Sequence, residues 1–114
     1  MKTHRIETKP AGVHVRVTFK GEVIADSRDA MVLEESKYPP VYYIPRRDVK
    51  MERLERSSHR THCPYKGDAS YFSFKGGPEN AVWSYEQPLD AVSVIRDGLA
   101  FYPDKVEISA GPIP

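Results

Sequence analysis

The sequence predicts a mostly β, β-rich α+β domain, drawn as a single antiparallel rolled sheet or half-open barrel with one short helix near residues 88–97. Three observations predict it. Val13, Val15, Val17 and Phe19 alternate with His14, Arg16 and Thr18, the period of a strand with one buried face. Further short runs rich in β-branched and aromatic residues follow, separated by Gly, Pro, Asp and Asn. Only the segment after Pro88 carries apolar residues at helical spacing. A β-sandwich is the competing architecture.

Taken in order, Lys20-Gly21 reads as a hairpin turn after the first strand. Glu22–Asp26 and Ala30–Glu34 read as two more strands around the polar turn Ser27-Arg28-Asp29, which together suggest an antiparallel meander. Pro39-Pro40 precedes the strand Val41–Ile44, and Pro45 ends it because proline has no ladder donor. Residues 46–55 suit either a short helix capped by Asp48 or a strand, with strand the preferred reading. Tyr71–Phe74 and Ala81–Tyr85 flank Gly76-Gly77-Pro78-Glu79-Asn80 as a hairpin. Pro88 opens the helix, Leu89, Val92 and Ile95 give its apolar face, and Gly98 ends it. Leu99–Tyr102 and Val106–Ile108 form an expected final hairpin through Pro103-Asp104-Lys105.

The 114 residues include 39% apolar and 29% charged side chains with a net charge of +1, a balance that fits a soluble fold rather than a disordered or membrane-spanning chain. No apolar stretch resembles a signal segment or a membrane span, so a cytoplasmic protein with no membrane partner is expected. The single cysteine cannot form an internal disulfide and suits a reducing compartment.

Five blocks stand in order: Ile-Ala-Asp-Ser (24–27), Tyr-Ile-Pro-Arg-Arg-Asp-Val (43–49), Thr-His-Cys-Pro-Tyr-Lys-Gly-Asp-Ala-Ser-Tyr (61–71), Trp-Ser-Tyr (83–85) and Ala-Phe-Tyr-Pro (100–103). Together they resemble the domain-of-unknown-function 427 (DUF427) family, sometimes labelled nucleotidyltransferase. The resemblance implies a single domain over 13–109, an N-terminal extension over 1–12 and a C-terminal tail over 110–114. Its label implies a transferase acting on a nucleotide or phosphorylated metabolite. Nucleotidyltransferases with a polymerase-like palm place two carboxylates one residue apart to hold metal ions on a triphosphate. No Asp-x-Asp or Glu-x-Glu occurs in this sequence.

The 61–71 block is the candidate site. Gly67 permits a tight turn whose backbone N–H groups, with the Lys66 ammonium, suit an anion. The expected pocket is aromatic-lined and takes a small anionic or nucleotide-like ligand through Tyr43, Thr61, Lys66, Tyr71 and Trp83. Glu34 is the candidate acid/base beside Lys66 if the pocket is catalytic. Cys63 reads as a packing residue, since an extended chain turns His62 and Cys63 to opposite faces. His59, His62 and Cys63 lack a second ligand pair, so no metal is expected, and the cofactor is left unknown. From 45 to 66 there are seven basic residues (Arg46, Arg47, Lys50, Arg53, Arg56, Arg60 and Lys66) against three acids, but interleaved acids make nucleic acid an unlikely partner. The third reading is a homodimeric interaction module, formed by a strand edge or by the 76–80 hairpin.

Overall fold

A computed structural model describes residues 4–114. Its ten strands are β1 (Ile6–Pro10), β2 (His14–Phe19), β3 (Glu22–Ser27), β4 (Met31–Glu35), β5 (Val41–Tyr43), β6 (Leu54–Cys63), β7 (Gly67–Phe74), β8 (Val82–Ser84), β9 (Ala100–Phe101) and β10 (Glu107–Gly111). Strand makes up about 50% of the structure and helix 11%, which establishes the mostly β class. The strands form three antiparallel sheets ordered β1-β4-β5, β10-β2-β3 and β6-β7-β8-β9, none closed into a barrel. Two isolated bridges connect them. Ile44 and Leu99 exchange both backbone hydrogen bonds, at 2.9 and 2.8 Å, and so join the β5 end of one sheet to the β9 end of another. Ala25 bridges Val49, and the Lys50 N–H donates to Ile24 at 2.8 Å. The expected single rolled sheet is thus realised as three hydrogen-bonded sheets joined by these two bridges.

Lys20 and Gly21 both adopt positive φ, 50° and 80°, as a two-residue hairpin turn requires, and β2 and β3 pair as expected. The meander does not continue. After Asp29 the chain crosses into the other sheet, where β4 pairs with β1 and β5 instead of β3. Residues 46–53 are not strand: they form two 3-10 turns, Arg46–Asp48 and Met51–Arg53, on either side of the Val49 bridge. The expected last hairpin is also replaced, because β9 pairs with β8 and β10 returns to pair with β2. Residues placed outside the domain by the sequence contribute to sheets: β1 lies within 1–12, and β10 runs to Gly111.

The expected helix is a 3-10 segment, Asp90–Ile95, kinked at Val92 (φ −125°, ψ 27°). Three β-branched residues in six, Val92, Val94 and Ile95, weaken a regular α-helix, while Val92 and Ile95, three apart, both reach the core. The expected stop at Gly98 falls earlier: the segment ends at Ile95, Asp97 takes the positive φ (63°), and Gly98 is needed for packing, since a Cβ there would stand 2.9 Å from the Tyr43 Cβ. No helix among the described residues is long and apolar enough to cross a membrane.

Two apolar clusters hold the sheets together. One gathers Val15, Val17, Ile24, Ile44, Phe72, Phe74, Val82 and Leu99; the other gathers Leu33, Tyr43, Tyr71, Tyr85, Val92 and Ile95. The second cluster backs the hairpin of β6 and β7, and therefore fixes the 61–71 block in space.

Candidate functional site

The 61–71 block is a β-hairpin. Cys63 pairs with Gly67, Thr61 with Ala69, and Pro64-Tyr65-Lys66 form the tip. Gly67 has φ +111°, and a Cβ there would meet the Gln87 carbonyl at 3.2 Å, so the tip demands glycine. The Lys66 N–H donates to the Cys63 carbonyl at 3.2 Å, and the Leu89 N–H donates to the Lys66 carbonyl at 2.9 Å. The backbone at Lys66 is thereby held from both sides.

Lys66 points into a cleft of about 880 Å3. Val15, Val17, Ile44 and Phe101 lie buried beneath it, and its apolar surface comes from Tyr38, Val41, Tyr42, Tyr65, Trp83 and Ile108. Its volume falls within the usual range of small-molecule sites, about 300–1,000 Å3. The polar groups gather at one place. Lys66 Nζ lies 2.8 Å from one Glu35 carboxylate oxygen and His4 Nε2 lies 2.7 Å from the other. The side chains of Lys66 and Glu35 are only 14% and 12% exposed, so this is a nearly buried pair and not a surface contact. The His4 ring stacks on Tyr65 with centroids 3.9 Å apart.

Of the residues expected at the site, Lys66 and Trp83 line the cleft; Tyr43, Thr61, Tyr71 and Glu34 do not. Tyr43 and Tyr71 are buried in the wall behind it. The Trp83 indole N–H donates to the Tyr43 hydroxyl at 3.3 Å, and Thr61 and Tyr71 share a hydroxyl hydrogen bond of 3.0 Å. Burial pushes the Tyr43 hydroxyl well above its ordinary range. Burial, with a hydrogen bond to Tyr71, pushes Tyr102 up to about 12. These tyrosines are neutral hydrogen-bonding groups at physiological pH.

Glu34 lies on the other side of β4. It is exposed and pairs with Lys9 at 3.4 Å, while its neighbour Glu35 meets Lys66. Successive strand residues face opposite ways, so one position changes a carboxylate from solvent-facing to cleft-facing. Glu35 shares parity with Leu33 and Met31, which pack in the second cluster, a signal blurred in the sequence because Val32, on the Glu34 face, is apolar and buried as well. His4 had no comparable signal, because its position depends on the pairing of β1 with β4. Cys63 is half-buried against the second cluster. His62 contacts Asp68 across the hairpin at 2.6 Å instead of serving Cys63 as a base.

The basic 45–66 stretch is largely neutralised by acids from elsewhere in the fold. Arg47 pairs with Asp29, and Lys50 and Arg53 pair with Glu22. Arg56 grips both oxygens of Glu86 at 2.9 and 2.8 Å; Arg46 adds a bond to the same carboxylate at 2.9 Å and one to Ser84 at 3.1 Å. Both guanidiniums lie over Phe72. Hydrogen bonds from Arg56 above all, and from Arg46 and Ser70, hold the Glu86 carboxyl far below the usual carboxylate range against the opposing effect of burial.

Among the described residues no group of three or more His, Cys, Asp and Glu side chains is placed to hold a metal ion. The carboxylates therefore do not fit a two-metal nucleotidyl-transfer centre. No curated protein matches the chain. A family model labelled NTP_transf_9 and described as Domain of unknown function (DUF427) matches residues 7–111, a span that takes in β1 except Ile6 and reaches the end of β10. With its fold, its site block and nearly its whole length covered by that match, the chain belongs to the DUF427 family.

Proposed function

We propose that this protein binds a small organic anion in the cleft, with the apolar body of the ligand against Val41, Tyr42, Trp83 and Ile108, and its carboxylate or phosphate at Lys66. The observation that carries this reading is a nearly buried ammonium opening onto an apolar cleft. An ammonium has three donors, and Glu35 occupies one of them at 2.8 Å. His4, held by the second Glu35 oxygen, stands beside Lys66 as a further polar contact. Glu35 orients both groups, the role that a carboxylate between two bases performs in many binding sites. Thr61, Tyr43 and Tyr71 support the site by fixing the wall rather than by touching the ligand.

A nucleotide fits this description, with a base on the aromatic and proline rim and a phosphate at Lys66. The transferase reading suggested by the family label would use the same cleft, with Lys66 as the cation on a phosphoryl group and Glu35, not Glu34, as the carboxylate within reach. No residue pair supports the metal step, so binding without turnover is the preferred reading.

Trp83 is the only tryptophan and lines the cleft, which makes its emission a direct reporter. Nucleoside phosphates, sugar phosphates and aromatic carboxylates would be titrated with and without magnesium. A saturable change in emission that Lys66→Met removes is the expected result. The same saturation in wild type and variant would overturn the role of Lys66, and a magnesium-dependent response would favour the transferase reading.

A further inference from the structure

Strand edges are the second feature of this fold that invites a partner. The β3 edge is occupied by the Val49 bridge, and the β5 and β9 edges are linked through Ile44 and Leu99. β1 packs beside Asp90–Ile95 and ends in Pro10, which has no N–H to offer. Two edges are left among the described residues, β6 and β10. β6 is defended: it carries Glu55, Arg56 and Arg60, and its register against β7 shifts between Arg56 and Arg60. Charges and bulges of this kind obstruct pairing with another chain.

β10 is less defended, with Glu107 at its start as its one charge. Its sequence Glu107-Ile108-Ser109-Ala110-Gly111 contains no Lys, Arg or Pro, and its five pairs with β2 run without a shift. Glu107 to Ala110 are all exposed, and Ile108 keeps 37% of its surface in water. The strand is also self-complementary. A two-fold axis through Ser109 sets Glu107 opposite Gly111 of the second copy and Ile108 opposite its Ala110. The only charged residue then faces a glycine instead of its own copy.

We propose that this chain forms a two-fold homodimer by antiparallel pairing of β10 with β10 of a second copy, producing a six-stranded sheet β3-β2-β10-β10-β2-β3. Ile108 and Ala110 pair in register with the buried Val17 and Val15, so they lie on the cleft face of the sheet. Both clefts then open on the same face of the joined sheet. The antiparallel register also carries the second copy's residues 112–114 beside residues 104–106, toward Pro103 on the cleft rim. This pairing does not depend on what the cleft binds.

Sedimentation velocity over a concentration series tests it with wild type, Ser109→Lys and Ser58→Lys, the last placed on the bulged β6 edge. Wild type and Ser58→Lys are expected to share one monomer–dimer equilibrium. Ser109→Lys sets like charges across the axis and weakens association about tenfold or more. A wild type that stays monomeric throughout the series, or a dimer that tolerates Ser109→Lys, overturns the proposal. Ser109→Cys checks the register: Cα atoms of directly opposed strand residues lie about 4.5–5.5 Å apart, within disulfide range. Mild oxidation should give a covalent dimer that peptide mapping assigns to 109 with 109; a dimer that does not crosslink there overturns the register.

Discussion

Glu35 and Glu86 each sit between two basic side chains, and the difference between the two clusters separates the proposed binding site from a structural clamp. Glu86 is held by two arginines, one of them through both carboxylate oxygens, with both guanidiniums against Phe72. The planar forks and the carboxylate satisfy one another. Glu35 is held by a lysine and a histidine, and the cluster is more buried, yet it faces the floor of a cleft. Lysine offers donors that rotate, and histidine offers a ring with two nitrogens, so neither is exhausted by one carboxylate. Burial of an ion pair alone would have ranked the clusters wrongly. The chemistry of the cation and the space beside it decide what each is for.

The largest effect on stability is expected at the clamp. Glu86→Gln leaves two guanidiniums that cannot deprotonate without their shared counter-ion, and should lower unfolding free energy by about 2–3 kcal/mol. Urea unfolding would show this as a lower midpoint with an unchanged slope. The pH dependence has a definite sign. The folded Glu86 carboxyl titrates below its ordinary value of 4.5, so its contribution is fully present above that pH and is lost as pH falls toward the folded value. The stability gap between wild type and Glu86→Gln should therefore hold steady above pH 4.5 and narrow as pH falls below it. A gap that widens in acid would contradict the clamp.

Lys66→Met sharpens the comparison from the other side. It should cost only about 1 kcal/mol in the same urea assay, because Glu35 keeps His4 and can reach water in the cleft. Affinity for an anionic ligand should fall about 10- to 100-fold, the loss expected for one charged hydrogen bond. Tyr43→Phe removes the acceptor of the Trp83 indole and should cost about 1 kcal/mol, visible both in the urea midpoint and as a shift in tryptophan emission. Glu34→Gln is expected to do least, within about 0.5 kcal/mol and without effect on binding, since its contact with Lys9 is solvent-exposed. A large binding loss in Glu34→Gln would place the wrong face of β4 in the cleft.

Local signals were the legible ones. The alternation of Val13 to Phe19 and the Lys20-Gly21 turn located β2, β3 and their hairpin, and the position of Gly67 marked the turn that presents Lys66. What was hidden depended on pairing across distance. β6 is ten residues long but mostly exposed at a sheet edge, so it has no apolar alternation to read. The final hairpin failed because β9 and β10 found different partners, a choice made by the core and not by the turn between them. His4 reached the site only through the register of β1 on β4, and Glu86 joined Arg46 and Arg56 from 40 and 30 residues away. Glu35 is the instructive case: Met31, Val32 and Leu33 before it are all apolar, and Val32 and Leu33 are buried on opposite faces, so strand parity did not separate it from Glu34.

The most direct test of the account maps where a ligand binds. Amide and side-chain NMR signals would be followed while a nucleoside monophosphate or an aromatic carboxylate is titrated into wild type and Lys66→Met. Saturable shifts are expected at the Trp83 indole N–H, Tyr65 and Lys66, with none at the Arg56 guanidinium, and with their loss in the variant. Shifts centred on Arg46 and Arg56, or shifts around the cleft that persist without Lys66, would contradict a site at Lys66.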